Sequence, residues 1–282
     1  MKIVFIWMVV VVAVILAVGA FTSPEKTQTQ TQTKTVRVNT TRAQTIYLRN
    51  LSPRYMSDKE ILNDIPAWEA SINKDFAPAW HTTQYKLVFL GRKEAPTGGM
   101  IATFIKSGPV RKALAYHTVN KGSPGIVVYT GTGAYYGYDN SVSFTHELQE
   151  FAADPTISFT NQGWPYDWVN VVLPDGSYDR RPQIEGTFWA TEVSDPVEAS
   201  SYTRKGLNGK PVAISDFVEP NWFNNAVKGS YDFMDLIQQP FTILPGGYAQ
   251  FFDGTRWQVV LNFRKGHASD AGFYKGERQE RH

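Results

Sequence analysis

The chain has 282 residues, of which 42% are hydrophobic and 14% aromatic, so it is long and apolar enough to bury one sizeable core. It contains no cysteine, which excludes disulfides, thiolate zinc sites and a cysteine nucleophile. Its 28 basic and 26 acidic residues give a net charge of +2, and this balance predicts no nucleic-acid partner.

The first 45 residues predict an exported protein with a tethered or released domain. Residues 3–21 are continuously apolar, with a length between those of a secretory signal and a membrane span. Residues 1–22 are therefore either a signal peptide or an N-terminal membrane anchor, and residues 23–45 are a Thr/Gln-rich disordered linker. We expect the folded domain over residues 46–264 and a polar C-terminal tail over residues 265–282.

The domain begins with a helix pattern followed by strand patterns. Residues 57–60 read as a capping box, and apolar residues follow at helical spacing. Pro66 lies within that pattern and is expected to kink or split the helix. Residues 85–90 and 125–130 are runs typical of strands, and the glycines in residues 131–137 predict a loop.

The second half of the domain mixes loops with short apolar runs. Asn140 or Ser141 is the expected N-cap of another helix, after which residues 156–186 read as a loop. Residues 186–196 form a short apolar element that ends in acids. Strands are predicted at residues 212–218, 248–252 and 257–263, with a hairpin turn between the last two. Together these patterns predict a single domain of the α+β class.

The most informative pattern begins at His146 and reads His-Glu-x-x-Glu, with Asp-Pro four residues later. Each residue of a helix turns by about 100°, so His146, Glu150 and Asp154 share one face and Glu147 lies beside them. The opposite face is apolar and consists of Phe144, Leu148, Phe151 and Ala152. A helix of this kind presents ligands to a divalent metal ion, with a further carboxylate next to them.

These residue types fit the roles that a hydrolytic metal site requires. Such a site has three protein ligands, an open position for water and a base within reach. His146 and Glu150, one turn apart, fit two of the ligands, and Glu147 fits the base. Glu150 stands where the full His-Glu-x-x-His signature has its second imidazole. Zinc is the expected metal, with calcium and manganese as alternatives because a carboxylate is a harder donor.

The third ligand stays open at this point. Asp154 lies about 12 Å from His146 along a continuous helix, so the two share an ion only if the helix ends near Ala153. The other candidates are Glu192 and Asp195, in the acidic element farther along the chain.

Two simpler interpretations compete with a metal site. A helix with one polar and one apolar face is also an ordinary surface helix, in which case His146 and its neighbouring acids are solvated. His117 could bind a substrate or a metal, but a lone histidine is more often a hydrogen-bonded structural residue, and we expect that role for it.

The segment 145–155 resembles the Ser-His-Glu-x-x-Glu-x-x-x-Asp-Pro block of a largely uncharacterised family of phage, viral and bacterial proteins regarded as zincin-like metallopeptidases. Thr145 replaces the serine of that block. Further similarity lies, in the same order, at residues 75–80, 115–117, 218–223 and 240–248. The resemblance implies one zincin-like domain whose active-site helix packs on a small mixed sheet. It also implies the site residues: His146 and Glu150 as ligands, Glu147 as base, and Glu192 and Asp195 as acidic partners.

Two functions follow as hypotheses. The first is an exported, membrane-anchored or secreted metallopeptidase that hydrolyses a peptide or protein substrate with a metal-activated water. The second is a non-enzymatic module of the same fold, associated with a virion or an envelope and stabilised by an ion such as calcium. Calcium prefers oxygen ligands, and the candidate metal ligands include four carboxylates, on Glu150, Asp154, Glu192 and Asp195.

Overall fold

The structure is a computed structural model and describes residues 43–91, 94–96, 98–109, 113–120, 123–157, 160–162, 168–172, 178–182, 188–224, 228–252 and 257–262. All of these residues belong to one structural unit, Thr41–His282. The segment predicted as a signal or anchor, the linker up to residue 42 and the predicted C-terminal tail lie outside the described residues. Within the described part of the chain, every helix falls short of the length and apolar character needed to cross a membrane.

A five-stranded mixed sheet forms the first part of the domain. Its strands are β1 (Gln44–Asn50), β2 (Tyr85–Leu90), β3 (Met100–Ile105), β4 (Ala115–Asn120) and β5 (Ser123–Tyr129). They lie in the order β2-β1-β3-β5-β4. The first four strands in that order are parallel, and β4 pairs with β5 in the antiparallel direction, so β4 is an edge strand. The strands predicted at residues 85–90 and 125–130 are confirmed as β2 and β5.

The predicted capped helix is α1 (Asp58–Ala70), which continues into a π-helical turn, Ser71–Phe76, and α2 (Ala77–Trp80). Ser57 and Glu60 form the reciprocal hydrogen bonds of the capping box. α1 runs through Pro66 without a break, so the predicted split at that residue is wrong. The fully buried Trp68 packs on two aromatic rings of the core, and this packing outweighs the hydrogen bond that proline cannot make.

Two helices follow the sheet. Residues 130–136 form α3 (Thr130–Tyr136) where a glycine-rich loop was predicted, and Gly137 ends it with a left-handed φ of 76°. The predicted His-Glu helix is α4 (Asn140–Ala153). Its N-cap is Asp139 rather than Asn140 or Ser141, because the Asp139 carboxylate accepts a hydrogen bond from the Ser141 N–H, 2.7 Å long.

The rest of the domain consists of short strands in three further sheets. These strands are β6 (Thr160–Gln162), β7 (Trp168–Val172), β8 (Tyr178–Pro182), β9 (Phe188–Ala190), β10 (Ser201–Lys205), β11 (Pro211–Ser215), β12 (Thr242–Ile243), β13 (Tyr248–Phe252) and β14 (Trp257–Leu261). They pair as the hairpin β10-β11, the sheet β12-β7-β8 and the antiparallel sheet β14-β13-β9-β6. The α+β class is therefore confirmed, whereas the single small sheet is wrong, since the described residues form four sheets.

The predictions for individual segments of this region differ in outcome. The loop predicted at residues 156–186 is wrong, because three strands form there: β6 pairs with β9, β7 pairs with β12, and β7 and β8 pair with each other. The strands predicted at residues 212–218, 248–252 and 257–263 are present as β11, β13 and β14. Residues 253–256, in the predicted turn, lie outside the described residues.

α4 is buried on both of its faces. Phe144, Leu148 and Phe151 have exposures of at most 1%, as the apolar face predicts. The polar face is covered too: His146 is 8% exposed and Glu150 is 0% exposed. α4 contacts β4 and β5 of the mixed sheet and β11 of the hairpin. The surface-helix interpretation is therefore wrong, and the cost of burying this imidazole and carboxylate has to be offset within the protein.

Candidate metal centre

α4 is held against β11 by two side chains next to the candidate ligands. The Ser215 N–H donates to Thr145 Oγ1 over 2.9 Å, and Gln149 Nε2 donates to the Ser215 carbonyl oxygen over 2.9 Å. Each helical residue thus bonds one backbone group of the same strand residue. These bonds fix the rotation of α4, and therefore where His146 and Glu150 point.

The acidic segment after β9 is attached to the same helix. Ser194 Oγ donates to Gln149 Oε1 over 2.9 Å, just before a 3₁₀ turn at Asp195–Val197. A methyl group on Gly247 would lie 2.8 Å from the Asp195 carbonyl oxygen and would overlap that of Pro196. Glycine at this position therefore allows the backbone before β13 to pack closely against the 3₁₀ turn that carries Asp195.

The first group of candidate ligands consists of His146, Glu150 and Asp195. His146 Nε2 lies 3.3 Å from Glu150 Oε1 and 3.3 Å from Asp195 Oδ1. One ring nitrogen can donate a proton to only one of two carboxylate oxygens. Within the described residues, neither oxygen of Asp195 accepts a hydrogen bond of good geometry. Ligand atoms around one ion lie about 3 Å apart, and both distances from His146 Nε2 are close to this spacing.

The second group is centred on His117, which β4 places against α4. The His117 N–H donates to Glu147 Oε2 over 2.8 Å, and the ring Nδ1 lies 3.0 Å from the same oxygen. Nδ1 also lies 3.7 Å from Glu150 Oε2, and Nε2 lies 4.0 Å from Glu192 Oε2. His117 is hydrogen-bonded, as predicted, but its partners are the candidate site residues themselves.

We call these residues the histidine–carboxylate cluster: His117, His146, Glu147, Glu150, Glu192 and Asp195. Among the described residues, two sets of three have ligand atoms that all lie within 4.8 Å of one another. They are His146, Glu150 and Asp195, and His117, Glu147 and Glu150. Glu150 belongs to both sets and directs one carboxylate oxygen toward each histidine.

Burial and crowding change the proton affinities at the centre of this cluster. Burial lowers the pKa of His146, but the charge of Glu150 and the close polar contacts with Asp195 and Glu150 outweigh this effect and raise the pKa well above its usual value. Burial, and then the charge of Asp195, raise the pKa of Glu150 well above the normal range, although His146 opposes this shift. Both groups therefore bind protons more tightly than the free side chains do, and a cation at this site would compete with those protons.

The structure separates the three candidates for the remaining ligand. α4 ends at Ala153, as sharing an ion with Asp154 requires, and the Asp154 N–H donates to the Glu150 carbonyl oxygen over 2.8 Å. Asp154 is nevertheless in neither set of candidate ligands. Glu192 lies beside His117, and Asp195 lies beside His146. The geometry thus favours Asp195 as the third ligand of the His146 site.

Sequence reasoning missed the part that His117 takes in the cluster. The residue precedes α4 in the chain and belongs to no local motif, so its position depends on the pairing of β4 with β5. The available signal was the short similarity at residues 115–117. No protein-family model, curated protein or solved structure matches the chain, so these geometric relations are the basis for inferring a function.

Proposed function

We propose that the protein is a metal-dependent peptidase whose ion is held by His146, Glu150 and Asp195. The observation that carries this proposal is the position of His146 Nε2, 3.3 Å from each of two buried carboxylate oxygens. Three protein donors leave room in a tetrahedral ion for one more ligand, as hydrolytic sites require. The ion would supply Lewis acidity and activate a water molecule.

Glu147 acts as the general base in this scheme. It follows His146 on α4, is 4% exposed, and has Oε2 fixed by the His117 N–H. A carboxylate held in this way keeps one orientation toward the attacking water. It takes the proton from that water and returns it to the leaving amine.

The edge of the mixed sheet supports a peptide as substrate. The Tyr129 N–H donates to the Leu114 carbonyl oxygen over 2.7 Å, and residues alternate in direction along an antiparallel strand. Ala115, His117 and Val119 therefore direct their backbone groups away from β5. An extended peptide can pair with such an edge. On β4 it would have to pair around the His117 N–H, which Glu147 Oε2 already accepts, and it would therefore pass Glu147.

The same features support a zincin-like domain and membership of the family that the sequence resembles. α4 carries the His-Glu pair and packs on a mixed sheet whose antiparallel edge strand reaches the site. Two imidazoles in the cluster favour zinc, or manganese, over calcium, which prefers oxygen donors. If the metal-loaded protein cleaves no peptide, the result would support the second hypothesis, a non-enzymatic module that the ion stabilises.

We also propose that the domain is exported and remains either anchored or secreted, because residues 3–21 are continuously apolar. Alkaline extraction of membranes, with N-terminal sequencing of the mature chain, tests this part. A chain that stays in the cytoplasm with its first residues intact would contradict it.

The test of the activity compares the wild type with Glu147→Gln in the purified full chain. Bound metal is measured by mass spectrometry, and cleavage is followed with casein and a mixed peptide library. We expect Glu147→Gln to keep the ion at His146 and to lose at least about 100-fold in cleavage rate. Glu60→Gln is the matched control, since Glu60 is exposed and glutamine also serves in a capping box. Equal rates in the wild type and Glu147→Gln would overturn the assignment of the base.

A further inference from the structure

We infer that His117 is the positioning residue of Glu147: its backbone and its ring together fill both lone pairs of Glu147 Oε2 and leave Oε1 as the oxygen that accepts a further proton. The catalytic consequence rests on the proposed function, in which Glu147 is the base. The orientation of Glu147 does not itself require peptide cleavage, so the two can be tested separately.

The first support is the edge position of β4, which lets the backbone of His117 reach α4. His117 pairs with Ile126 in the antiparallel ladder of β4 and β5, and its backbone groups point away from β5. The His117 N–H therefore donates to Glu147 Oε2, over 2.8 Å, rather than to a neighbouring strand. Because the ladder fixes the backbone of β4, this donor has a fixed position relative to α4.

The second support is the His117 ring, whose Nδ1 lies 3.0 Å from the same carboxylate oxygen. On the other side of the ring, Nε2 lies 4.0 Å from Glu192 Oε2, which exceeds hydrogen-bond distance, and it has no hydrogen-bond partner within the described part of the chain. A neutral ring keeps its proton on the nitrogen that has an acceptor, so the proton resides on Nδ1. The side chain is only 2% exposed, and its surroundings therefore hold the ring in this orientation.

The third support is the number of protons that one carboxylate oxygen can accept. An ionised carboxylate offers about four lone-pair positions, which are shared equally between its oxygens. The backbone N–H and the Nδ1–H of His117 fill both positions on Glu147 Oε2. A proton taken from a water molecule has to go to Oε1. The inference thus assigns the basic atom of Glu147, whereas the proposed function assigns only the residue.

Two substitutions of His117 separate this role from packing alone. Asparagine and leucine have the same branched shape, and both keep the backbone N–H that bonds Glu147. Asparagine can place an amide N–H near the position of Nδ1, whereas leucine has no side-chain donor. The difference between His117→Asn and His117→Leu therefore measures the hydrogen bond of the ring, while a loss common to both measures packing.

The first test measures cleavage and bound zinc in the purified full chain. We expect His117→Leu to lower kcat by about 10–100-fold with KM and bound zinc unchanged, because a displaced base affects the transition state and not substrate binding. His117→Asn should recover most of that rate. His81→Asn is the matched control, because His81 is exposed and asparagine tolerates its left-handed backbone, with a φ of 52°. Equal losses in His117→Leu and His117→Asn, or no loss in either, would overturn the inference.

The second test observes the His117 ring without any cleavage, and it decides the question if His117→Leu does not fold. Nitrogen NMR of the zinc-loaded, histidine-labelled chain shows which ring nitrogen carries the proton, and the His117 signals are those missing from His117→Asn. We expect the proton on Nδ1 in the wild type and a smaller Nδ1–H population in Glu147→Ala.

The outcomes of the NMR test separate the orientation of Glu147 from the proposed activity. A wild-type ring without a proton on Nδ1, or one whose Nδ1–H population is the same in Glu147→Ala, would overturn the inference and leave the proposed peptidase intact. An Nδ1–H population that depends on Glu147, in a protein that cleaves no peptide, would support the inference and contradict the proposed activity.

Discussion

Two buried carboxylates of this domain, Asp75 and Asp195, have opposite surroundings. Asp75 Oδ2 accepts hydrogen bonds from Tyr202 Oη over 2.9 Å and from Arg204 Nε over 2.8 Å, and Asp75 Oδ1 also bonds the Arg204 guanidinium. Asp195 is more deeply buried, yet among the described residues neither of its oxygens accepts a hydrogen bond of good geometry. The fold supplies donors for a carboxylate that links structural elements and leaves oxygens available where a cation can bind.

A third group of buried carboxylates is intermediate between Asp75, which has several donors, and Asp195, which has none of good geometry. Asp216 and Asp232 are both fully buried, and burial together with the charge of Asp232 raises the pKa of Asp216 to about 8. Asp232 accepts the N–H groups of Leu236 and Ile237, over 3.0 Å and 2.7 Å. This pair is stabilised by a shared proton and by backbone donors.

The largest expected effect comes from breaking the cluster at Glu150. Because Glu150 is the residue shared by both sets of candidate ligands, Glu150→Gln should weaken binding of the proposed ion at His146 by at least about 100-fold and abolish cleavage. Calorimetric titration with zinc measures the affinity. Asp75→Asn is the matched control: it removes a buried acid outside the cluster and should keep the metal content. Unchanged zinc affinity in Glu150→Gln would show that Glu150 is not a ligand.

Removal of metal should lower stability through the same residues. An ion that binds only the folded protein stabilises it by about 2.7 kcal/mol at a free concentration 100 times its Kd. The unfolding midpoint in a thermal scan should therefore rise with added zinc and fall with chelator, and Glu150→Gln should be insensitive to both. A wild-type midpoint that ignores chelator would argue against any stabilising ion in the cluster.

Removing the partner of Asp75 should lower the stability of the fold without changing metal binding. Arg204→Met removes the guanidinium from Asp75 and leaves a buried carboxylate with Tyr202 as its remaining donor. We expect a loss of about 1–3 kcal/mol in the free energy of unfolding, moderated because Arg204 is partly exposed. Urea denaturation measures the loss. Metal stoichiometry should stay at the wild-type value, and a drop in it would mean that the two regions are coupled.

The smallest effect is a pH dependence from Asp216. Its pKa lies near 8 in the folded protein and near 4 in the unfolded chain, so the folded state binds more protons between these values. Its contribution to stability is therefore complete below about pH 4 and is lost as the pH rises toward 8. Asp216→Asn mimics the protonated form, so it should flatten this decline and be the more stable of the two proteins above pH 8. Parallel pH profiles of urea stability for the two proteins would contradict this account.

The sequence predicted those elements whose signals are local. α1 follows from a capping box, α4 from the spacing of its apolar face, and β2 from an apolar run. β6 was missed because its pairing with β9, rather than its own composition, makes it a strand, whereas β7 and β8 pair with each other and were missed although their signal is local. α3 forms despite its glycines because it packs against α4.

The residues of the candidate site also differ in whether their signal in the sequence is local. His146, Glu147 and Glu150 are readable because one helical turn brings them together. The place of Asp195 depended on a resemblance, and that of His117 could not be derived, since 30 residues separate it from Glu147. Contacts across such distances depend on which strands pair, which periodicity does not encode. For the same reason the sequence kept Asp154 as a candidate ligand, although the described structure places it in neither set of candidate metal ligands.

The route of the chain also sets the order in which the cluster can be assembled during synthesis. β4 and α4 leave the ribosome before Asp195, and the turn that carries Asp195 packs against β12 and β13. At about 5–20 residues per second, the acids of α4 exist for several seconds before their last partner has been made. The nascent helix must meanwhile hold its carboxylates hydrated or protonated. In the proposed metalloprotein, capture of the ion at His146 would therefore be a late step, coupled to the docking of the final strands.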